Sequence, residues 1–153
     1  HVLSRRQRQM CIRDSCETTT RGMFVTMIVG VYDKNKNELL LSNAGHEPPL
    51  IFSKDGNFKT IDEAGPPLGI APNFKFAEQI ISFKESSMYI FTDGITEMKN
   101  NNGEMLGQEG FQDYIKKYQT TPNNKRLQKM IEDLISSGRI QKDDLTIVTV
   151  DGN

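Results

Sequence analysis

The sequence lacks the features that mark several classes of protein. No apolar run approaches the roughly 20 residues that a membrane-spanning helix needs, and no apolar segment of a secretory signal follows the basic start. The net charge of −1 shows no excess of the positive charge that nucleic-acid-binding proteins carry. Internal repeats and low-complexity segments are absent too. With 36% hydrophobic and 25% charged residues among 153, the composition is that of one globular domain with a real core.

Cysteine is nearly absent. Cys11 and Cys16 are the only two and lie five positions apart in an unpatterned segment, which gives little support to a disulfide or a metal pair. A chain with no disulfide framework fits a reducing setting, so we expect the cytoplasm. A Cys-x5-Arg loop, a Walker-type phosphate loop and a kinase catalytic-loop motif are also missing, which excludes the chemistries that depend on them.

The N-terminal segment differs in charge from the remainder. Residues 1–15 carry +3, and the other residues carry −4. The segment is open to interpretation as a disordered basic tail or as a nucleic-acid arm, although it has no interleaved aromatics. We favour a third interpretation, because the codons ATG TGT ATA AGA GAC of a sequencing-library transposon adapter encode Met10 to Asp14. Residues 1–15 would then be a non-biological tail to be excluded from the fold, leaving 16–153.

Short apolar runs bounded by polar turns predict a β-rich chain. Residues 34–37 and 54–57 are turn clusters that predict hairpins, the second with Gly56 available for positive φ. Residues 65–70 contain two prolines and do not predict a regular central strand. Strands are predicted over residues 23–32, 38–42, 50–52, 58–61, 74–83, 87–92 and 145–150.

Two amphipathic helices are predicted before the last strand. Residues 108–118 place apolar side chains at i, i+3, i+4 and i+7. The second helix is predicted to begin with Thr121 as N-cap and to stop at Gly138, with an apolar stripe from Leu127 to Ile135. Hairpin-linked strands beside segregated helices indicate an α+β fold rather than a doubly wound sheet.

Acidic residues at strand ends are the first candidates for chemistry. Asp93 follows the strand at 87–92, and Gly94 leaves space for a ligand or ion beside the backbone. Asp143 and Asp144 precede the last strand, and two adjacent carboxylates are tolerable when solvated or neutralised by a cation. An ordinary Asp-Gly turn and a solvated polar turn are the structural alternatives. Oxygen ligands of this kind suit Mg²⁺ or Mn²⁺ if the two strands are neighbours.

His46 is a second type of candidate. It lies in the loop at 45–49, where a histidine is open to interpretation as a metal ligand, a general acid or a packed loop residue. A role in shaping the rim of a site is preferred over catalysis.

Five motifs in this order resemble the second half of a PPM-type, metal-dependent serine/threonine phosphatase domain. The branch that they resemble in detail is the bacterial one of the sporulation stage II phosphatase and the sigma-factor regulators. The resemblance covers essentially all of residues 23–150, and each motif is weak alone. The motifs lie at residues 45–49 (GHEPP), 67–69 (PLG), 92–97 (TDGITE), 103–107 (GEMLG) and 143–146 (DDLT).

The resemblance implies an antiparallel β-sandwich flanked by helices and a site that holds two divalent ions, Mn²⁺ or Mg²⁺. Asp93 and Asp143 match the family's metal ligands at these positions. Asp144 matches the residue that follows the second ligand and is less favoured as a direct ligand. Gly94 and His46 would lie at the rim. In this mechanism the metals activate a water that attacks phosphorus, with no covalent phosphoenzyme.

One departure from the family is large. The Gly-Asp motif and the Asp-Val-Ser-Gly-His-Gly-type motif of its first half do not occur upstream of Met23. We therefore expect the chain to be the C-terminal part of a phosphatase domain, truncated at the N-terminus and weak or inactive alone. The resemblance implies a parent that dephosphorylates an anti-sigma-factor antagonist and carries an upstream sensor domain, sometimes membrane-anchored. A non-catalytic, β-rich regulatory or interaction module is the alternative function.

Overall fold

The computed structural model describes residues 23–61 and 64–152. The predictions for the tail at 1–15 and for both cysteines therefore lie outside the described residues. The chain divides into two compact units. The first unit takes the described residues of His1–Pro48, Ile61–Lys84 and Gly152–Asn153, and the second comprises Pro49–Thr60 and Glu85–Asp151.

Strands and helices of the described residues follow the predicted order, with one short helix in addition. The strands are β1 (Met27–Asp33), β2 (Glu38–Ala44), β3 (Leu50–Ser53), β4 (Phe58–Thr60), β5 (Gln79–Ser82), β6 (Ser86–Phe91) and β7 (Ile147–Asp151). The helices are α1 (Asp93–Thr96), α2 (Gly107–Tyr118) and α3 (Asn123–Ser136).

The first unit contains a three-stranded antiparallel sheet in the order β1-β2-β5. The β1–β2 hairpin forms because the Asp33 carboxylate accepts the N–H groups of Asn35 and Lys36, at 3.0 and 3.2 Å, and Asn37 adopts a left-handed φ of 50°. Leu39 pairs with Ile81, and both side chains are buried on the same face. The predicted hairpin is thus confirmed.

The second unit contains a four-stranded antiparallel sheet in the order β4-β3-β6-β7. Gly56 turns the chain between β3 and β4 with φ 87°, as predicted. One face of this sheet packs against α2 and α3, and each helix buries part of the apolar stripe that its periodicity indicated. The core of the unit includes Leu50, Phe52, Tyr89 and Phe91 of the sheet and Phe111, Ile115, Met130 and Leu134 of the helices. Antiparallel sheets with separate helices confirm the α+β class.

Several predicted element details are wrong. Within residues 74–83 only Gln79–Ser82 forms a strand. Pro122, not Thr121, directly precedes α3, because the Pro122 carbonyl accepts the N–H groups of Lys125 and Arg126 at 2.9 and 3.0 Å. Gly138 does follow the helix with φ 75°, as its stop signal indicated.

The ion pair between α2 and α3 gives the chain a defined acid sensitivity. Lys117 Nζ lies 2.6 Å from Asp133 Oδ2, and this hydrogen bond holds the pKa of Asp133 below its ordinary value of 3.8. Because the folded pKa is depressed, the pair stabilises the fold above that ordinary value and its contribution is lost as the pH falls through the folded pKa. Asp133 is therefore expected to titrate below 3.8 in an NMR titration of its carboxyl group.

Asp133→Asn should also flatten the fall in urea midpoint between about pH 5 and pH 3. Asp113→Asn, an equal change of charge at an exposed position of α2, should leave the slope as it is in the wild type. An Asp133 carboxyl that titrates at or above 3.8 would contradict the stabilising role of this pair.

Candidate metal centre

The pairing of β6 with β7 brings the two acidic segments together. The strands are antiparallel, and Phe91 at the end of β6 lies opposite Ile147 at the start of β7. In such a pair the chain leaving one strand and the chain entering the other lie at the same end. The segments that contain Asp93 and Asp143 therefore meet at one edge of the sheet of the second unit.

Thr92 joins these segments beyond the last strand pair. Its N–H donates to the Thr146 carbonyl at 3.1 Å, and its Oγ1 accepts the Thr146 N–H at 3.1 Å. The same hydroxyl donates to the Asp144 carbonyl at 3.0 Å. The residue directly before Asp93 is thus tied to the residue directly after Asp143.

Gly94 makes the closest approach between the segments. It is buried, and a Cβ at this position would lie 2.5 Å from the Asp144 carbonyl oxygen and 3.4 Å from the Asp143 carbonyl carbon. A glycine is required because any side chain would collide with this backbone. The space that the sequence suggested for a ligand or ion beside Gly94 is instead filled by the backbone of Asp143 and Asp144.

The candidate carboxylates point to solvent rather than into the core. Asp93 is the first residue of α1, and its carbonyl accepts the Glu97 N–H at 2.8 Å. Within the described part of the chain, the Asp93 carboxylate has no hydrogen bond or ion pair. Asp143 Oδ1 accepts the Asp144 N–H at 2.8 Å, which orients that carboxylate and leaves its second oxygen to bind other groups.

These groups fit a hydrated divalent cation. Asp93 and Asp143 are exposed oxygen donors, and Mg²⁺ or Mn²⁺ often binds through one or two carboxylates while keeping several waters. Residues 23–61 and 64–152 contain no cluster of three or more His, Cys, Asp or Glu side chains that would complete a protein cage. The chemistry therefore suits a weakly held ion between the two segments.

His46 belongs to the first unit, where its loop is fixed by hydrogen bonds. The Asn43 side chain accepts the His46 N–H and donates to the His46 carbonyl, both at 2.9 Å. Thr26 Oγ1 lies 3.2 Å from His46 Nδ1. Gly45 has φ 68°, and a Cβ there would lie 2.6 Å from the Pro67 ring. These contacts explain the GHEPP and PLG motifs as a packed loop, and the rim role of His46 stays a prediction.

The family model of Stage II sporulation protein E (SpoIIE) matches residues 2–152. The chain belongs to the SpoIIE family. This confirms the resemblance to PPM-type phosphatase domains of the sporulation and sigma-factor-regulator branch. The match runs over both units, so the acidic edge of β6–β7 lies within the family's domain.

Two curated relatives extend this assignment. Protein IcfG of Synechocystis sp. is 30% identical over 137 residues, which are 84% of this chain and 21% of that protein. Phosphoserine phosphatase RsbU of Bacillus subtilis is 27% identical over 132 residues, which are 84% of this chain and 39% of that protein. The chain thus spans about a fifth and two fifths of the lengths of these relatives.

Solved structures support the fold. The RsbU and RsbW domains of Rv1364c from Mycobacterium tuberculosis match with a TM-score of 0.75 and 21% identity, over 97% of this chain and 41% of that one. The manganese-presoaked phosphatase domain of SpoIIE from Bacillus subtilis matches with a TM-score of 0.66 and 17% identity, over 95% and 66%. The PPM version of the α+β fold is therefore confirmed.

Among the described residues, no helix is both long and apolar enough to span a membrane.

The sequence did not predict the roles of Thr92 in this region or of Arg126 at the other end of the β6–β7 pair. Thr92 was counted as the last residue of a strand, although its hydroxyl joins the acidic segments. Arg126 lies outside the predicted apolar stripe of α3, yet it is buried with 9% of its surface exposed. The threonine of the TDG motif was a usable signal, whereas a single arginine on an amphipathic helix was not.

Proposed function

We propose that this chain contributes to a phosphatase that hydrolyses phosphoserine or phosphothreonine on a regulatory protein, with Mn²⁺ or Mg²⁺ as cofactor. The observation that carries the proposal is the approach of Gly94 to the Asp144 carbonyl, where a Cβ would lie only 2.5 Å away. This approach sets Asp93 and Asp143 on either side of one backbone contact. Membership of the SpoIIE family supports the same function.

In this proposal, residues of the chain bind the cation and orient its ligands. Asp93 and Asp143 would each supply carboxylate oxygens to a cation, and the Asp144 N–H would fix the Asp143 carboxylate by its 2.8 Å hydrogen bond. Asp144 itself would lie beside the site, since its carbonyl is bound to Thr92. A bound divalent ion would supply an activated water and neutralise the phosphate oxygens.

The proposed substrate is a phosphorylated anti-sigma-factor antagonist. The relative RsbU is named a phosphoserine phosphatase, and the solved Rv1364c structure contains RsbU and RsbW domains together. A protein substrate also suits carboxylates at an exposed sheet edge, because a phosphorylated side chain can reach them without entering a deep cavity. An upstream sensor domain in the parent protein is part of the same proposal.

Phosphate release from a phosphoserine peptide with added Mn²⁺ tests the function. The 153-residue chain is expected to turn over far below the roughly 10 per second of a median enzyme. The reason is that the family's Gly-Asp and Asp-Val-Ser-Gly-His-Gly-type motifs, which complete the metal site, are missing from this sequence. Asp93→Asn and Asp143→Asn should each lower the Mn²⁺-dependent rate at least tenfold, a loss of about 1.4 kcal/mol of transition-state stabilisation.

Asp113→Asn is the matched control, since it removes a carboxylate that is also exposed but lies on α2. Its rate should equal that of the wild type. A rate that survives both Asp93→Asn and Asp143→Asn would refute the proposed site. Fast turnover by the wild-type chain that Asp93→Asn abolishes would instead refute the expectation of an incomplete site.

A further inference from the structure

We infer that Thr92 is a positioning residue whose hydroxyl holds the Asp143–Asp144 segment beside Asp93. The inference rests on the proposed function, because it concerns the assembly of the same metal site. It goes further by assigning a role to a side chain that would not itself bind the ion.

The segment that carries Asp143 has few attachments of its own. Residues 141–146 connect an isolated bridge at Ile140 to the first residue of β7. At the bridge, Ile140 exchanges backbone hydrogen bonds of 2.8 and 3.3 Å with Lys99. Regular pairing with β6 begins only at Ile147, which lies opposite Phe91. Between these ends, Leu145 packs against the core of the unit and the Gln141 side chain donates to the Asp143 carbonyl at 3.0 Å. The exposed residues 143 and 144 need further bonds to hold one conformation.

Thr92 supplies the attachment in the middle. Its Oγ1 accepts the Thr146 N–H at 3.1 Å and donates to the Asp144 carbonyl at 3.0 Å. One hydroxyl therefore uses both its lone pair and its proton on two backbone groups of the segment. Serine retains both abilities, whereas valine keeps the shape of threonine and has neither.

The loss of these two bonds should weaken metal binding. One net hydrogen bond is worth roughly a factor of five in an equilibrium constant. With both bonds gone, the segment keeps the backbone bond from the Thr92 N–H to the Thr146 carbonyl, but the Asp144 carbonyl loses its partner. Ion binding must then order residues 143 and 144, which lowers affinity. We expect Thr92→Val to raise the Mn²⁺ concentration needed for half-saturation about tenfold, and Thr92→Ser to change it less than about twofold.

Paramagnetic line broadening in amide NMR spectra of the full chain provides the test, with MnCl₂ as probe. In the wild type, Mn²⁺ should broaden the amide signals of Gly94 and Asp144 over the same concentration range. In Thr92→Val, the Asp144 signal should need about ten times more Mn²⁺, and exchange of the Thr146 N–H with solvent should accelerate. Thr149→Val, the same change within β7, should match the wild type, and the Phe91–Ile147 contact should persist in every variant.

Each result decides the matter. Unchanged Mn²⁺ affinity and unchanged Thr146 exchange in Thr92→Val would overturn the role of Thr92, as would a Thr92→Ser variant that behaves like valine. If Mn²⁺ broadens neither segment of the wild type, the proposed metal site fails. Exchange of the Thr146 N–H would still show in that case whether Thr92 holds the segment, because this measurement needs no metal.

Discussion

Gly94→Ala is expected to destabilise the chain by about 2 kcal/mol and to lower its Mn²⁺ affinity at least tenfold. The new Cβ would lie 2.5 Å from the Asp144 carbonyl oxygen, and backbone rather than a flexible side chain would have to move. The displaced backbone is the one that carries Asp143. Urea unfolding measures the first effect, and a Mn²⁺ titration measures the second.

Gly30→Ala is the control for adding a methyl group where no backbone has to move, at an exposed position of β1. At Gly30 the new Cβ would meet the Leu39 side chain at 3.4 Å, a contact that a small rotation relieves. Its stability should change by less than about 1 kcal/mol, and Mn²⁺ affinity should not change. Equal behaviour of the two variants would show that the backbone contact at Gly94 has no special role.

Arg126→Met is expected to cost about 3 kcal/mol of stability, the largest loss that we expect from one substitution. The Arg126 guanidinium donates to Asp151 Oδ1 at 3.1 Å, to the Tyr89 hydroxyl at 3.2 Å and to Ser87 Oγ at 3.3 Å. Its removal leaves the Asp151 carboxylate, only 25% exposed, without a counter-charge. Urea or thermal unfolding of the variant measures this loss.

The arginine also bridges the two strands that carry the site. Ser87 and Asp151 lie opposite each other in the β6–β7 pair and are joined by a hydrogen bond of 2.5 Å. Because a slip by one residue would move every side chain to the other face, a guanidinium that binds both members disfavours the slipped pairing. Burial raises the pKa of the Tyr89 hydroxyl above its ordinary value of 10.0, and the neutral hydroxyl oxygen accepts the hydrogen bond from Arg126 at 3.2 Å.

Lys125→Met is the control for Arg126→Met. It removes a positive charge from α3 without breaking the hydrogen bonds of Arg126. Lys125 is the exposed neighbour of Arg126, and its replacement should change stability by less than about 0.5 kcal/mol. Asp151→Asn combined with Arg126→Met should cost less than the sum of the two single changes, because the carboxylate no longer lacks a partner. A cost for Arg126→Met no greater than that for Lys125→Met would refute the network.

The hairpins could be predicted because turn residues a few positions apart determine them. The hairpins follow from Asp33 and Gly56, whose turn geometry depends on a few adjacent residues. The strand predicted at 74–83 was too long, since alternation of apolar residues cannot tell which of them find a strand partner. The predicted stripe of α3 included Ile135, which is 58% exposed, and omitted Arg126, whose burial depends on partners in distant strands.

The site was predictable only in part. The TDGITE and DDLT motifs indicated Asp93 and Asp143 as candidates, but no local pattern indicates that strands more than fifty residues apart in the sequence are neighbours. That neighbourhood is set by the packing of the four-stranded sheet, which pairs Phe91 with Ile147. The hydroxyl of Thr92 and the contact at Gly94 follow from the same pairing, so neither could be derived from spacing.

The central claim is that Asp93 and Asp143 bind one ion together, and a double-mutant cycle of Mn²⁺ affinity tests it most directly. Free Mn²⁺ would be measured by electron paramagnetic resonance for the wild type, Asp93→Asn, Asp143→Asn and the double variant. If one ion is shared, each single change should lower affinity at least tenfold, and the double change should lower it little further. Losses that simply add, or a single variant that binds as tightly as the wild type, would contradict the shared ion.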